Sequence, residues 1–81
     1  MHEKIDEPID VIVSFSGTKV KPIVFRRQGR EYRIEKVNMV YTSPEDGTKV
    51  YYFSVSDHGH YYNIRFDPAT LKWRLKEVYW E

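Results

Sequence analysis

Apolar residues recur at every second position along most of this chain, and that period constrains the fold more than any other feature. Ile9, Val11, Val13 and Phe15 alternate with Asp10, Ile12 and Ser14, and Ile23 and Phe25 alternate with Val24 and Arg26. Tyr51, Phe53 and Val55 form a third set, Tyr62, Ile64 and Phe66 a fourth, and Leu71, Trp73 and Leu75 a fifth. A period of two puts alternate side chains on opposite faces of an extended strand, so each run predicts a strand with one buried face. Turn-forming residues separate the runs: Ser16–Thr18, Gln28-Gly29, Ser43–Gly47, Ser56–Gly59 and Asp67–Thr70. Connections this short join antiparallel neighbours.

The period breaks once. Tyr32 and Ile34 occupy even positions, whereas Val37, Met39 and Tyr41 occupy odd ones. A bulge near Glu35-Lys36 would return both sets to the core face, and a short helical turn is the alternative, given the spacing of Ile34, Val37 and Tyr41. The β-branched and aromatic residues favour the strand. About six strands in simple succession follow.

Parity also predicts registers. An even-numbered loop, His58-Gly59 or Ser56–Gly59, puts Phe53 and Ile64 on one face, and the shorter loop pairs Val55 with Tyr62, Phe53 with Ile64 and Tyr51 with Phe66. A four-residue loop at Asp67–Thr70 would pair Phe66 with Leu71, Ile64 with Trp73 and Tyr62 with Leu75. With no helix to cover it, a sheet with one apolar face is expected to curl on itself. The predicted fold is all-β: an antiparallel meander of about six strands curled into a small, partly open barrel.

Eighty-one residues predict a single β-domain over 1–81, with 1–7 as a mobile or edge segment. The absence of cysteine excludes disulfides and thiolate metal sites and fits a reducing compartment. No leader-like stretch and no long apolar run is seen, so a cytoplasmic protein without membrane contact is expected. Net charge is only +1, but it is uneven. Glu3, Asp6, Glu7 and Asp10 make the first segment acidic, while Lys19–Lys36 and Lys72–Lys76 are basic.

Two constellations carry the functional expectation. The stretch FRRQGREYR sets Arg26, Arg27, Arg30 and Arg33 around Gly29, and arginines at a hairpin tip grip phosphates without reading sequence. The predicted outward grid sets Tyr52, Tyr61, Arg65, Lys72 and Arg74 together without a carboxylate. Cations with interleaved rings are what a single-stranded nucleic acid requires. The competing reading is a solvated sheet face with tyrosines lying on arginine stems, and a hairpin whose charges keep its tip soluble. Asp57, His58 and His60 invite a metal reading, yet supply too few ligands at that spacing, so a polar turn and no metal is expected. No nucleophile motif and no glycine-rich phosphate loop occurs, so no catalytic residue, no cofactor and no enzyme is expected.

The run IDEPIDV, Ile5 to Val11, followed by Phe25, Gly29, Tyr32, Arg33, Ile34 and Val37, resembles a family of small bacterial domains of unknown function. Tyr62–Asp67 and Trp73-Arg74-Leu75 resemble that family's last two strands. The chain departs from the pattern at Arg27 and Tyr41, where the family carries tryptophan. Related domains lie at the end of Y-family-like DNA polymerase proteins, so the resemblance implies an accessory role beside nucleic acid or a DNA-repair protein. The expectation is a non-catalytic binding domain that contacts single-stranded nucleic acid or a DNA-repair protein. The alternative is a protein-interaction or self-associating module, dimerising through an edge strand and the tail Val78, Tyr79 and Trp80.

Overall fold

A computed structural model describes residues 1–80 of the chain. The described residues form seven strands: β1 (His2–Ser16), β2 (Lys19–Arg27), β3 (Arg30–Arg33), β4 (Lys36–Glu45), β5 (Thr48–Asp57), β6 (His60–Asp67) and β7 (Lys72–Trp80). All pair antiparallel in one sheet of order β3-β2-β1-β7-β6-β5-β4. The all-β antiparallel fold is as the alternation predicts. Among the described residues no helix is long and apolar enough to cross a membrane.

The hairpins are set by their turns. Gln28-Gly29, Asp46-Gly47 and His58-Gly59 each have positive φ at both central positions, the type I′ geometry whose twist matches that of the flanking strands. The β5–β6 register is the one expected from parity, with Val55 opposite Tyr62, Phe53 opposite Ile64 and Tyr51 opposite Phe66.

Four expectations need correction. First, the strands are not in simple succession, because β7 inserts between β6 and β1. Residues His2–Ile9 therefore form a ladder with β7, rather than a mobile or edge segment, and the tail Val78–Trp80 is a paired strand opposite Met1–Glu3 and β6. Second, the β6–β7 register is displaced by two residues from that expected at Phe66, which faces Trp73, and at Ile64, which faces Leu75, and by three at Tyr62, which faces Val78. Pro68–Leu71 make the turn, and an irregularity between Asn63 and Ile64 absorbs the extra residue. A shift of two keeps every side chain on its face, so parity could not detect it.

Third, the break near Glu35-Lys36 is neither a bulge nor a helical turn but a crossing between strands. Ile34 N donates to Ile23 O on β2 at 2.8 Å, and Glu35 N donates to Ser56 O on β5 at 3.0 Å. The bulge lies beyond it, between Val37 and Met39. Val40 is thereby placed opposite Phe53 on the inner face, and Met39 and Tyr41 are turned outward and exposed. Fourth, the sheet is not closed into a barrel. Consecutive strands β3 and β4 lie at its opposite ends and share no ladder. Pro22 and Pro44 remove N–H groups from β2 and β4, which limits further pairing along these edges.

The sheet nevertheless curls strongly. Four steps in the strand order separate β3 from β6, a span of about 19 Å in a flat sheet, yet the Tyr32 and Tyr62 ring centroids are 6.0 Å apart. The curl encloses a core of Ile9, Phe25, Phe53, Val55, Tyr62, Ile64, Phe66, Trp73 and Leu75. No polar or charged residue is buried among the described residues.

Candidate binding surface

The structure brings three of the expected cations into one shallow groove. Arg65, Lys72 and Arg74 line a concavity of about 770 Å³ between β1 and the β6–β7 end. Carboxylates absent from the expected grid also converge there. Asp10 and Asp67 share the groove lining, and Lys72 sits opposite Asp67 in the ladder. Glu45, at the end of β4, accepts from Arg65 Nη2 at 3.0 Å and from the Tyr52 hydroxyl at 2.7 Å. Asp6 takes positive φ at the β1 irregularity. There its carboxylate accepts from Arg74 Nε at 2.8 Å and lies 3.0 Å from Lys76 Nζ, while its carbonyl accepts from Arg74 Nη2 at 2.8 Å.

The charge is thus largely neutralised from within. The Tyr52 hydroxyl, then Arg65, hold the Glu45 carboxyl below its ordinary range, and Arg74, then Lys76, do the same for Asp6. Burial, then the Glu45 carboxylate, push the Tyr52 hydroxyl up. Both carboxylates bind protons less readily folded than unfolded. Their contribution is therefore present above the ordinary carboxylate pKa of about 4 and is lost as pH falls through the lowered folded values. The urea midpoint is expected to fall between about pH 5 and pH 3, and Asp6→Asn should flatten part of that slope. Because Asp6 is 57% exposed, its share is small.

Elsewhere the expected residues are dispersed. Arg26, Arg30 and Arg33 are exposed around the Gln28-Gly29 turn, but Arg27 is half-buried and held by Glu7, and Arg26 lies opposite Asp10 and Glu31. Tyr52 stacks on Tyr41, with centroids 5.1 Å apart, rather than standing free. Tyr61 is 47% exposed and opposite Tyr79. Asp57 and His58 do approach each other, but their third neighbour is Glu35, not His60. His58 Nε2 lies 3.4 Å from Glu35 and 3.5 Å from Asp57. His60 instead stacks on Tyr62. Glu35 arrives from the β3–β4 crossing, which nothing in its spacing from Asp57 signals.

A second concavity has different chemistry. The β1–β2 hairpin projects beyond the start of β7, and β4 turns away from β2 after Glu35. Between them lies a cleft of about 420 Å³ lined by Thr18, Lys19, Val20, Lys21, Val37, Val40, Tyr51 and Phe53. Its floor is the inner face of the sheet. Phe53 is buried, Val20, Val37 and Tyr51 are only half-buried, and Val40 is 49% exposed although it faces inward opposite Phe53. Phe15, opposite Val20 at the hairpin tip, is 66% exposed. Lys19 and Lys21 on β2 line its rim, Lys49 on β5 lies over the Tyr51 ring at 5.7 Å, and Lys36 on β4 is the strand neighbour of the lining residue Val37. Among the described residues no carboxylate pairs with any of the four. The alternation predicts the apolar lining of this cleft, but not that the fold leaves it uncovered.

No family model matches this chain, and neither a curated protein nor a solved structure matches it.

Proposed function

We propose that this domain is a non-catalytic protein-interaction module that holds an extended segment of a partner in the cleft between β2 and β4. The observation that carries the reading is the uncovered inner face: Val20, Val37, Val40 and Tyr51 point toward the core side of the sheet, and no strand among the described residues lies over them. Apolar area left in water at the end of a small core is a cost that a ligand removes. Cleft volume is within the range of ligand sites, about 300–1,000 Å³. Two strand edges flank the opening, and an edge offers unpaired N–H and C=O groups to an added strand.

Nucleic acid is the weaker reading. Its strongest support is the exposed trio Arg26, Arg30 and Arg33. Against it, Arg65 and Arg74 already hold carboxylates, and Arg27 and Arg30 share a cleft with Asp57. A residue-resolved NMR titration with single-stranded DNA, duplex DNA and single-stranded RNA separates the two. The expected result is no salt-sensitive shift at Arg65, Lys72 or Arg74. Shifts confined to that groove or to the arginine turn, weakening as salt rises, would restore the nucleic-acid reading.

A further inference from the structure

We infer that the segment held in the cleft is an acidic strand, with apolar side chains at alternate positions and carboxylates between them. This rests on the reading of the cleft as a protein-binding site. The argument is from how two strand edges present their groups. Across an antiparallel pair, alternate residues turn their backbone N–H and C=O toward the partner strand and away from it. Counted from the two-residue turn Gly17-Thr18, Lys19 and Lys21 face β1, and Val20 and Pro22 face outward along β2. Counted from Asp46-Gly47, the residues facing outward along β4 are Pro44, Thr42 and Val40. Val20 on one side and Val40 and Thr42 on the other thus carry free donors and acceptors, while the prolines at 22 and 44 close off the pairing on each edge.

Side-chain direction then selects the composition of the occupant. A strand in this slot points every second side chain inward, toward Val20, Val37, Val40 and Tyr51, and these must be apolar. The intervening side chains point outward, on the same side as Lys19 and Lys21, the neighbours of the inward-facing Val20, and Lys36, the neighbour of the inward-facing Val37. Lys49 adds a fourth cation near the Tyr51 side of the opening. On the β1–β7 face the chain supplies its own carboxylates to its cations; here, among the described residues, no carboxylate pairs with any of the four lysines. Complementary charge at an interface rim sets partner choice and association rate more than total affinity.

The test uses the intact chain, labelled with nitrogen-15, and a capped heptapeptide alternating glutamate and valine. At low salt, this peptide is expected to shift the amides of Val20, Val37, Val40 and Tyr51, with affinity falling as salt rises. A lysine–valine peptide should not bind, and N-methylation of every second residue of the acidic peptide should abolish binding. Charge reversal in K19E/K21E is expected to weaken binding on the order of tenfold, with an unchanged unfolding midpoint because both lysines are exposed; K19Q/K21Q serves if the reversal perturbs folding. Equal binding of the acidic and basic peptides at the same amides would overturn the acidic partner and leave the cleft reading standing. No cleft shift with any peptide would overturn both. Cleft amides that broaden with protein concentration alone would assign the slot to a second copy of the chain, against the inference.

Discussion

Phe25→Ala is expected to cost about 3–5 kcal/mol and to leave the domain largely unfolded. The side chain is 1% exposed, stacks on Tyr32 at 4.9 Å and meets the edge of Tyr62 at 5.0 Å. Tyr32 is on β3 and Tyr62 on β6, so this one ring ties an end of the sheet to a strand that would be distant in a flat arrangement. Removing it opens a cavity at the contact that maintains the curl. A chain of this length has a total stability of about 4–12 kcal/mol at 0.05–0.15 kcal/mol per residue, so the loss is a large fraction of the whole. Urea unfolding followed by circular dichroism, with Trp73 fluorescence as a second probe, measures it. A loss below about 1.5 kcal/mol, the ordinary range for a tolerated hydrophobic swap, would show that Phe25 does not hold the two parts of the sheet together.

A pair of leucines gives the second large effect and checks the β6–β7 register. Leu75 is 0% exposed and faces Ile64, itself 0% exposed, so Leu75→Ala is expected to cost about 2–5 kcal/mol. Leu71 is 73% exposed and sits in the turn with φ of 61°. Leu71→Ala should change the unfolding midpoint very little. Leu71→Gly should be neutral or slightly stabilising, because a left-handed backbone strains an L side chain and glycine removes that strain. A large loss for Leu71→Ala would mean that the alternative register, with Leu71 against Phe66, is the one populated.

The contrast between these leucines shows how far the sequence was legible. Leu71, Trp73 and Leu75 have the same parity, so alternation assigns all three to one face and is blind to a displacement of two. The I′ turn at His58-Gly59 pins the β5–β6 register by local chemistry, and there the expectation held in every pair. Asp67–Thr70 has no such constraint, and Leu71 joined the turn instead. At the bulge beyond Val37 a single residue turned Met39 and Tyr41 outward and Val40 inward, an effect that depends on where β4 must bend to follow β5. The partners of the expected cations were illegible for a related reason: Glu45, Asp6 and Glu7 reach them from β4 and β1, across sequence separations of 20 to 68 residues. The cleft was illegible because its lining reads as ordinary core; only the spatial divergence of β2 and β4 leaves it open.

Pairing β1 with β7 has a consequence for how the chain is made. Met1 N donates to Trp80 O, a contact spanning 79 positions, and residues near either end lie side by side through most of the ladder between them. Joining such distant partners carries the highest loop-closure entropy in the fold, and folds dominated by distant pairings form slowly. During synthesis, β1 and β2 leave the ribosome long before β7, with Phe25 already present and Tyr62 not yet made. The first hairpins must therefore wait as exposed, edge-bearing chain, the condition in which aggregation and chaperone capture compete with folding. The sheet's central ladder is the last to become possible, so the domain can mature only when nearly all of its strands are available.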